Sequence, residues 1–318
     1  MKKRLLTVLM ILMLVFTMMP MQAFAEKPEA EAGLKYLNIG DSIAFGLSAD
    51  PGMSYFDLYA DYLDGERLGL DEAWLGGAVN LGMPGLDSME LLKALKGEFD
   101  LSDPQHYALQ LQLITLIPQA DLITISIGGN NLLTPVIGTV FQLYGLSPTS
   151  SMETLIGAIA TAGKDGLYGW DARLFAFTTS ALSSDPATLG WMLEDRTAQF
   201  LEDWPAILDR IELLNPDTQI IAMTLYNPIE KADNEALFNR YEALVRPMNM
   251  AMRMTQNRAS LANVANAFRK EPDAVAFRLT WMDAGMMMPP VLIDPHPTTL
   301  GHELIFEELM KGRDPRSF

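Results

Sequence analysis

The chain has 318 residues, 49% hydrophobic and 20% charged, with a formal net charge of −17 and no cysteine. Such a composition excludes a disordered chain and leaves room for a large buried core, as one α/β domain or a domain plus an insertion. Without cysteine there are no disulfides, no thiol catalysis, no thiolate metal ligation and no lipid-modified cysteine; the acidity argues against nucleic-acid and anionic-lipid partners.

The first segment reads as a leader rather than as part of a fold. Met1-Lys2-Lys3-Arg4 is basic, residues 5–19 are apolar except for Thr7 and Thr17, and Ala23-Phe24-Ala25 fits the small-x-small rule of signal peptidase. Residues 1–25 are therefore expected to be a signal peptide cut after Ala25, and the mature protein to be secreted or associated with the cell envelope. The apolar run is shorter than the roughly 20 residues that span a bilayer, so no integral membrane association is expected after cleavage. Loss of Lys2, Lys3 and Arg4 makes the mature chain more acidic still. Residues 26–33 are small and charged and read as a linker, followed by a single domain over 34–318.

Residues 34–39 form a largely apolar run that stops at Gly40-Asp41-Ser42-Ile43, the pattern of a buried strand ending in a tight turn. In open α/β sheets the binding crevice lies outside the carboxyl ends of the strands, so Ser42 is well placed to meet a ligand. A helix is predicted over 54–63, where Phe56, Tyr59, Ala60 and Leu63 recur at helical spacing. A second strand is predicted at 78–81, before Gly82-Met83-Pro84-Gly85, and a helix follows with Met89, Leu92 and Leu95 on one face. Residues 106–117 read as a further helix. The β-branched run at 120–127 reads as a third strand, stopping in the polar turn Gly128-Gly129-Asn130-Asn131.

Residues 132–190 are too long for an ordinary strand-to-helix connection and read as a helical insertion, about 132–192, that could act as a lid. Beyond it the pattern predicts a helix at 197–214, a fourth strand at 219–226 and a helix at 234–259 bent near Pro247. A fifth strand is predicted near 261–268. The chain closes with Val291-Leu292-Ile293-Asp294-Pro295-His296-Pro297 and an amphipathic helix over 298–311. Strands of buried type alternating with helices indicate a parallel sheet covered on both faces.

Four short blocks in this order resemble those of the SGNH, or GDSL, hydrolases: Gly40-Asp41-Ser42-Ile43, Asn80-Leu81-Gly82-Met83-Pro84-Gly85, Gly128-Gly129-Asn130-Asn131 and Asp294-Pro295-His296-Pro297. The resemblance implies a three-layer α/β/α sandwich of flavodoxin-like type with a central, mostly parallel five-stranded sheet. It also implies a serine esterase or lipase-type acylhydrolase with Ser42 as nucleophile, His296 as base and Asp294 as the acid behind it. The oxyanion hole would be formed by the Ser42 and Gly85 N–H groups and the Asn130 amide, with Gly82 the fallback for Gly85. Two departures stand out: the family's aspartate is Asn131 here, and Asp294 is one residue closer to the histidine than the usual Asp-x-x-His. The acid could therefore be Asp294 or Asp283, or the site could work as a Ser42–His296 dyad.

Of the three histidines, His106 opens a helix away from the other blocks, and His302 is expected in a structural or solvated role. No His-Glu-x-x-His spacing, Gly-x-Ser-x-Gly elbow, dinucleotide fingerprint or P-loop occurs. No metal or cofactor is expected, the partner is a small-molecule, lipid or glycan ester, and the protein is expected to be a monomer. The apolar residues of 132–191 could line an acyl-chain groove or simply pack a helical layer. Two alternatives remain beside the lipase reading: a weakly active or inactive secreted binding domain, and a carbohydrate O-acetyl esterase.

Overall fold

The computed structural model describes residues 33–65, 69–147, 149–282 and 291–311; the predicted leader and Asp283 lie outside them. Five apolar runs become β1 (Tyr36–Gly40), β2 (Ala78–Gly82), β3 (Leu122–Ser126), β4 (Gln219–Met223) and β5 (Ser260–Ala262). They form one parallel sheet in the order β2-β1-β3-β4-β5. Parallel neighbours require crossovers, and the crossovers are helical, so both faces of the sheet are covered. Every residue of β1 and β3 is buried. The α/β/α sandwich read from the sequence is the architecture found.

The helices are α1 (Ser42–Phe45), α2 (Tyr55–Gly65), α3 (Ser88–Lys96), α4 (Pro104–Leu116), α5 (Gly129–Leu143), α6 (Met152–Ala162), α7 (Trp170–Leu182), α8 (Leu189–Leu214), α9 (Glu235–Met254), α10 (Val264–Phe268) and α11 (Thr299–Lys311). Successive strand residues point to opposite faces and so enter two different cores. Leu37, Ile39, Ile123 and Ile125 pack with α3, α4, α8 and α9. Tyr36, Leu122, Ile221 and Met223 pack with α2 and α11. The sheet order reverses direction between β1 and β3, and in such sheets ligands bind beside that point, outside the carboxyl ends of the strands.

Two features differ from the sequence expectation. A separate antiparallel pair joins β6 (Val275–Arg278) to β7 (Leu292–Pro297), which carries Asp294 and His296. Four residues at 275–278 are too few to display a period. The long helix also begins at Leu189 rather than at 197, with Thr188 accepting the Trp191 N–H as its cap. Gly190 disguised that start; a side chain there would lie 2.1 Å from the Ser183 carbonyl, so glycine serves close packing against the end of α7. The segment before it holds three helices, α5, α6 and α7. Among the described residues no helix is long and apolar enough to cross a membrane.

Candidate active site

The serine turn is held by groups that leave it little freedom. Gly40 has φ +139°, and a Cβ there would lie 1.9 Å from the Ser126 carbonyl oxygen, so only glycine lets β1 end against β3. The Asp41 N–H donates to that same carbonyl at 3.0 Å. The Asp41 carboxylate then caps α1, accepting the Ile43 N–H at 3.0 Å and the Ser126 hydroxyl at 3.2 Å. Ser42 is thereby fixed as the first residue of a four-residue helix, buried but lining a cavity.

Beneath α1 runs a buried polar network that crosses three strands at one register. Asn38 accepts from the Tyr55 hydroxyl at 2.8 Å and the Thr124 hydroxyl at 2.7 Å. Its amide donates to the Ala44 carbonyl at 2.9 Å and to Asn80 Oδ1 at 3.0 Å. Asn80 donates to the same Ala44 carbonyl at 2.9 Å. Both asparagines thus satisfy the end of α1, and a fully satisfied buried network of this kind rigidifies what it holds.

Ser42, His296 and Asp294 lie in one hydrogen-bonded line. Ser42 Oγ is 2.9 Å from His296 Nε2, and His296 Nδ1 is 2.5 Å from Asp294 Oδ1. An ionised carboxylate can only accept, so Nδ1 carries the proton and Nε2 presents its lone pair to the serine hydroxyl. The shortened spacing is absorbed locally: the same Asp294 oxygen also accepts the His296 backbone N–H at 3.1 Å, two residues on. Asp294 Oδ2 accepts the Ser48 hydroxyl at 2.7 Å. Burial raises the Asp294 carboxyl, but the bonds from the His296 ring, Ser48 and the His296 N–H outweigh it and hold the acid below its ordinary range. The Tyr226 hydroxyl donates to the Pro295 carbonyl at 2.6 Å and so anchors the residue between acid and base.

Sequence reasoning missed Ser48 and Tyr226. Ser48 sits in a left-handed backbone conformation, φ 68°, inside an ordinary-looking loop, and it meets an acid 246 residues away. Its type and spacing carried no signal.

The two glycines considered for the oxyanion hole have different environments. The Gly82 N–H is taken by Asn80 Oδ1 at 2.8 Å, and a Cβ on Gly82 would lie 2.1 Å from the Phe45 nitrogen. Gly82 therefore serves the contact between β2 and α1. Gly85 has φ +91° and open space where a Cβ would stand. The Asn130 amide, in the first turn of α5, donates to the Leu86 carbonyl at 3.0 Å, which fixes the side chain and leaves its second N–H available. Ser42, Asn130 and His296 line one cavity.

Asn131 explains its own departure from the family pattern. It accepts the Ser88 N–H at 3.1 Å and donates to Ser88 Oγ at 2.8 Å, while Ser88 Oγ donates to Asp203 Oδ2 at 2.7 Å. The proton of Ser88 is committed to Asp203, so position 131 must donate. An aspartate could not, and it would add a second carboxylate to the same buried hydroxyl.

Asp41 is the unusual titratable group of the site. Burial pushes its carboxyl up from 3.8 to about 6, against the opposing pull of the Ile43 N–H, the Ser126 hydroxyl, the Ala44 N–H and the charge of His296. His302 is buried, accepts the Tyr55 N–H at 3.3 Å and lies 3.0 Å from the Leu47 carbonyl through Nε2. Burial lowers its pKa despite the Leu47 bond, so it acts as a neutral tie between α11 and the loop after α1. His106 pairs with Asp103 at 2.8 Å and stacks on Phe99, remote from the serine. Among the described residues no group of three metal-ligating side chains is placed to hold an ion.

The cavity lined by Ser42 is lined as well by residues of α5 and α7. One face of α5 lines it through Leu133, Val136, Ile137 and Val140, at the spacing of a single helical stripe. Leu174 and Phe177 of α7 line it too, as do Leu225, Leu237 and Leu244.

The three-layer α/β fold thus brings Ser42 at the end of β1, His296 on β7 and Asn130 at the start of α5 to one cavity, and the class of protein to which such a chain belongs is that of ester-hydrolysing enzymes. The match of residues 39–304 to the GDSL-like lipase/acylhydrolase family shows that the chain belongs to it. The fold is similar to that of the lipase Lip_vut3 from a goat rumen metagenome, with 16% identity over 89% of this chain and 99% of that one and a TM-score of 0.52. Also similar are an extracellular lipase from Streptomyces rimosus, 15% identical over 88% of this chain and 100% of that one, TM-score 0.47, and a phospholipase A1 from Streptomyces albidoflavus, 13% identical over 89% and 100%, TM-score 0.46. No curated protein sequence matches the chain.

Proposed function

We propose that this protein is an exported serine acylhydrolase that cleaves carboxylic esters of long acyl chains through an acyl-enzyme. The observation that carries the proposal is the line Ser42–His296–Asp294, at 2.9 and 2.5 Å. His296 Nε2 takes the serine proton as Oγ attacks the carbonyl carbon, and Asp294 steadies the imidazolium that forms. The oxyanion receives the Ser42 and Gly85 N–H groups and the second N–H of Asn130. Collapse of the tetrahedral intermediate breaks the ester bond, with His296 returning its proton to the leaving alcohol. Water then attacks the acyl-enzyme by the same route and releases the acid.

The chain-length preference is supported by the cavity. Leu133, Val136, Ile137, Val140, Leu174 and Phe177 line it, and an acetyl group would leave that surface uncovered. The inserted helices are, in this proposal, a cover over the crevice rather than a separate domain. The basic and apolar leader of residues 1–25 supports export.

The test is labelling by a fluorophosphonate, which reacts with an activated serine. Labelling of the native protein and its loss in Ser42→Ala are expected; equal labelling of both would sink the assignment. Hydrolysis of aryl decanoate should exceed that of aryl acetate in kcat/KM, and a preference for acetate would overturn the long-chain reading.

A further inference from the structure

The cavity that begins at Ser42 does not stay apolar. Its wall reaches Tyr144, just past the end of α5, and Arg173 on α7. Arg173 Nε donates to the Leu143 carbonyl at 2.8 Å, and its guanidinium lies 4.3 Å over the Tyr144 ring. Those contacts fix the side chain without using it up. Arg173 Nη1 and the Tyr144 hydroxyl are both buried and have no hydrogen-bond partner among the described residues.

The other arginine in the cavity wall makes the contrast. Arg240 places its N–H groups on the Ala181 and Gly190 carbonyls and on Glu194, so its role is to tie helices together. Arg173 has no carboxylate within ion-pair distance among the described residues, although the chain carries 40 acidic residues against 23 basic ones. A buried cationic donor left unmet is costly, by more than a neutral one. A ligand atom that accepts from it would remove that cost.

Helix α5 sets the distance. Asn130 begins it beside Ser42 and Tyr144 follows its last residue, so at about 1.5 Å per residue the two ends are roughly 20 Å apart. One leaflet of a bilayer, half of a core about 30 Å thick, is spanned by one lipid acyl chain of about 15 Å. A chain of about 15 Å with its ester carbonyl at Ser42 ends about 5 Å short of the far end of α5, a gap within reach of the long Arg173 side chain, which lines the same cavity.

We propose that Arg173 and Tyr144 form a carboxylate-binding subsite at the far end of the acyl cavity, which takes an oxygen anion carried on a long aliphatic chain. The chain direction from Ser42 rests on the acylhydrolase reading; the subsite itself does not. Two sources share the chemistry. The anion is either the terminal carboxylate of a substrate acyl chain, as in the half-ester of a long dicarboxylic acid, or the carboxylate of a free fatty acid lying in the opposite sense.

Calorimetric titration of Ser42→Ala protein with palmitate and with monomethyl hexadecanedioate tests the subsite without needing turnover. Arg173→Gln in that background should weaken binding of at least one of them about 10- to 100-fold, as loss of a hydrogen bond to a charged group does. Tyr144→Phe, which keeps the ring under the guanidinium, should weaken it less, and Arg173→Lys should restore part of the loss. Weakening confined to palmitate assigns the site to free fatty acid; weakening of the half-ester assigns it to the substrate. With serine present, the substrate case also requires that aryl hydrogen hexadecanedioate outrun aryl palmitate in kcat/KM, and that Arg173→Gln remove the advantage. Folded Arg173→Gln and Tyr144→Phe proteins that bind both ligands as tightly as the parent would overturn the proposal. Loss of binding in a protein that hydrolyses no ester would leave the subsite standing and remove the acylhydrolase reading.

Discussion

The turns at the ends of β1, β2 and β3 and the helical layer α5–α7 meet their polar groups in opposite ways. Around Ser42 the side chains of Asn38, Asn80, Asp41 and Asp294 each hold two or more hydrogen bonds. In the inserted layer Leu167, Tyr168 and Phe175 are exposed, and Arg173 and Tyr144 keep buried donors unmet. In the proposed mechanism the first region holds the reacting atoms still, which is what electrostatic stabilisation of a developing charge needs. The second, in the same proposal, accepts a largely apolar guest, with unmet surface as the means of binding.

Removing the proposed nucleophile is the most severe way to break that division. Ser42→Ala should lower kcat for an aryl ester by on the order of 10⁴-fold or more while leaving the thermal unfolding midpoint within a few degrees. Near-native turnover in that variant would mean that the rigid region is scaffold alone. Asn130→Ala should cost roughly 100- to 1000-fold in kcat with little change in KM, the signature of a donor used in the transition state. A rise in KM alone would move Asn130 into the binding region.

Asp41 sharpens the comparison through pH. Its folded-state carboxyl is raised from 3.8 to about 6 by burial, so the native state holds the proton more tightly than the unfolded chain. The stability this confers is full below the unfolded value and declines as pH rises through about 6. Asp41→Asn, which keeps an acceptor for the Ile43 N–H, should match the parent near pH 4 and exceed it by roughly 1–3 kcal/mol at pH 8 in denaturant unfolding. Parallel stability curves for the two proteins would refute the buried-acid account.

In the inserted layer, Ile137→Trp should cut kcat/KM for decanoyl esters about 10-fold relative to acetyl esters by filling the cavity. An equal effect on both chain lengths would place Ile137 in the fixed region instead. The smallest change is expected at Ser48→Ala, a few-fold loss in kcat, since Asp294 keeps its two bonds from His296 when the Ser48 bond goes.

The parts legible in the sequence were those written in local pattern. The β-branched run around Leu122 and Ile125 gave a buried strand, and Gly40-Asp41-Ser42 gave a tight turn at the end of the first one. The blocks carrying Ser42, Asn130 and His296 were readable because each is a short run at the end of an element. The pair β6 and β7 escaped notice because β6 is only four residues long and shows no period. The block pattern put Gly85 ahead of Gly82 by resemblance alone; what sequence could not show is that the Asn80 side chain takes up the Gly82 N–H.

Sequence alone determined which faces of the strands are apolar, where the chain turns sharply and which side chains could carry acyl transfer, because each of those depends on neighbours within a few residues. Tertiary structure alone decided that Asp294 reaches His296 despite the shortened spacing, that Ser48 stands behind it, and that Asn131 must donate to a hydroxyl already committed to Asp203. Those outcomes depend on what lies across a sheet or a loop closure up to 246 residues away. A hydrogen bond is settled by distance and angle in space, and neither is encoded by position along the chain.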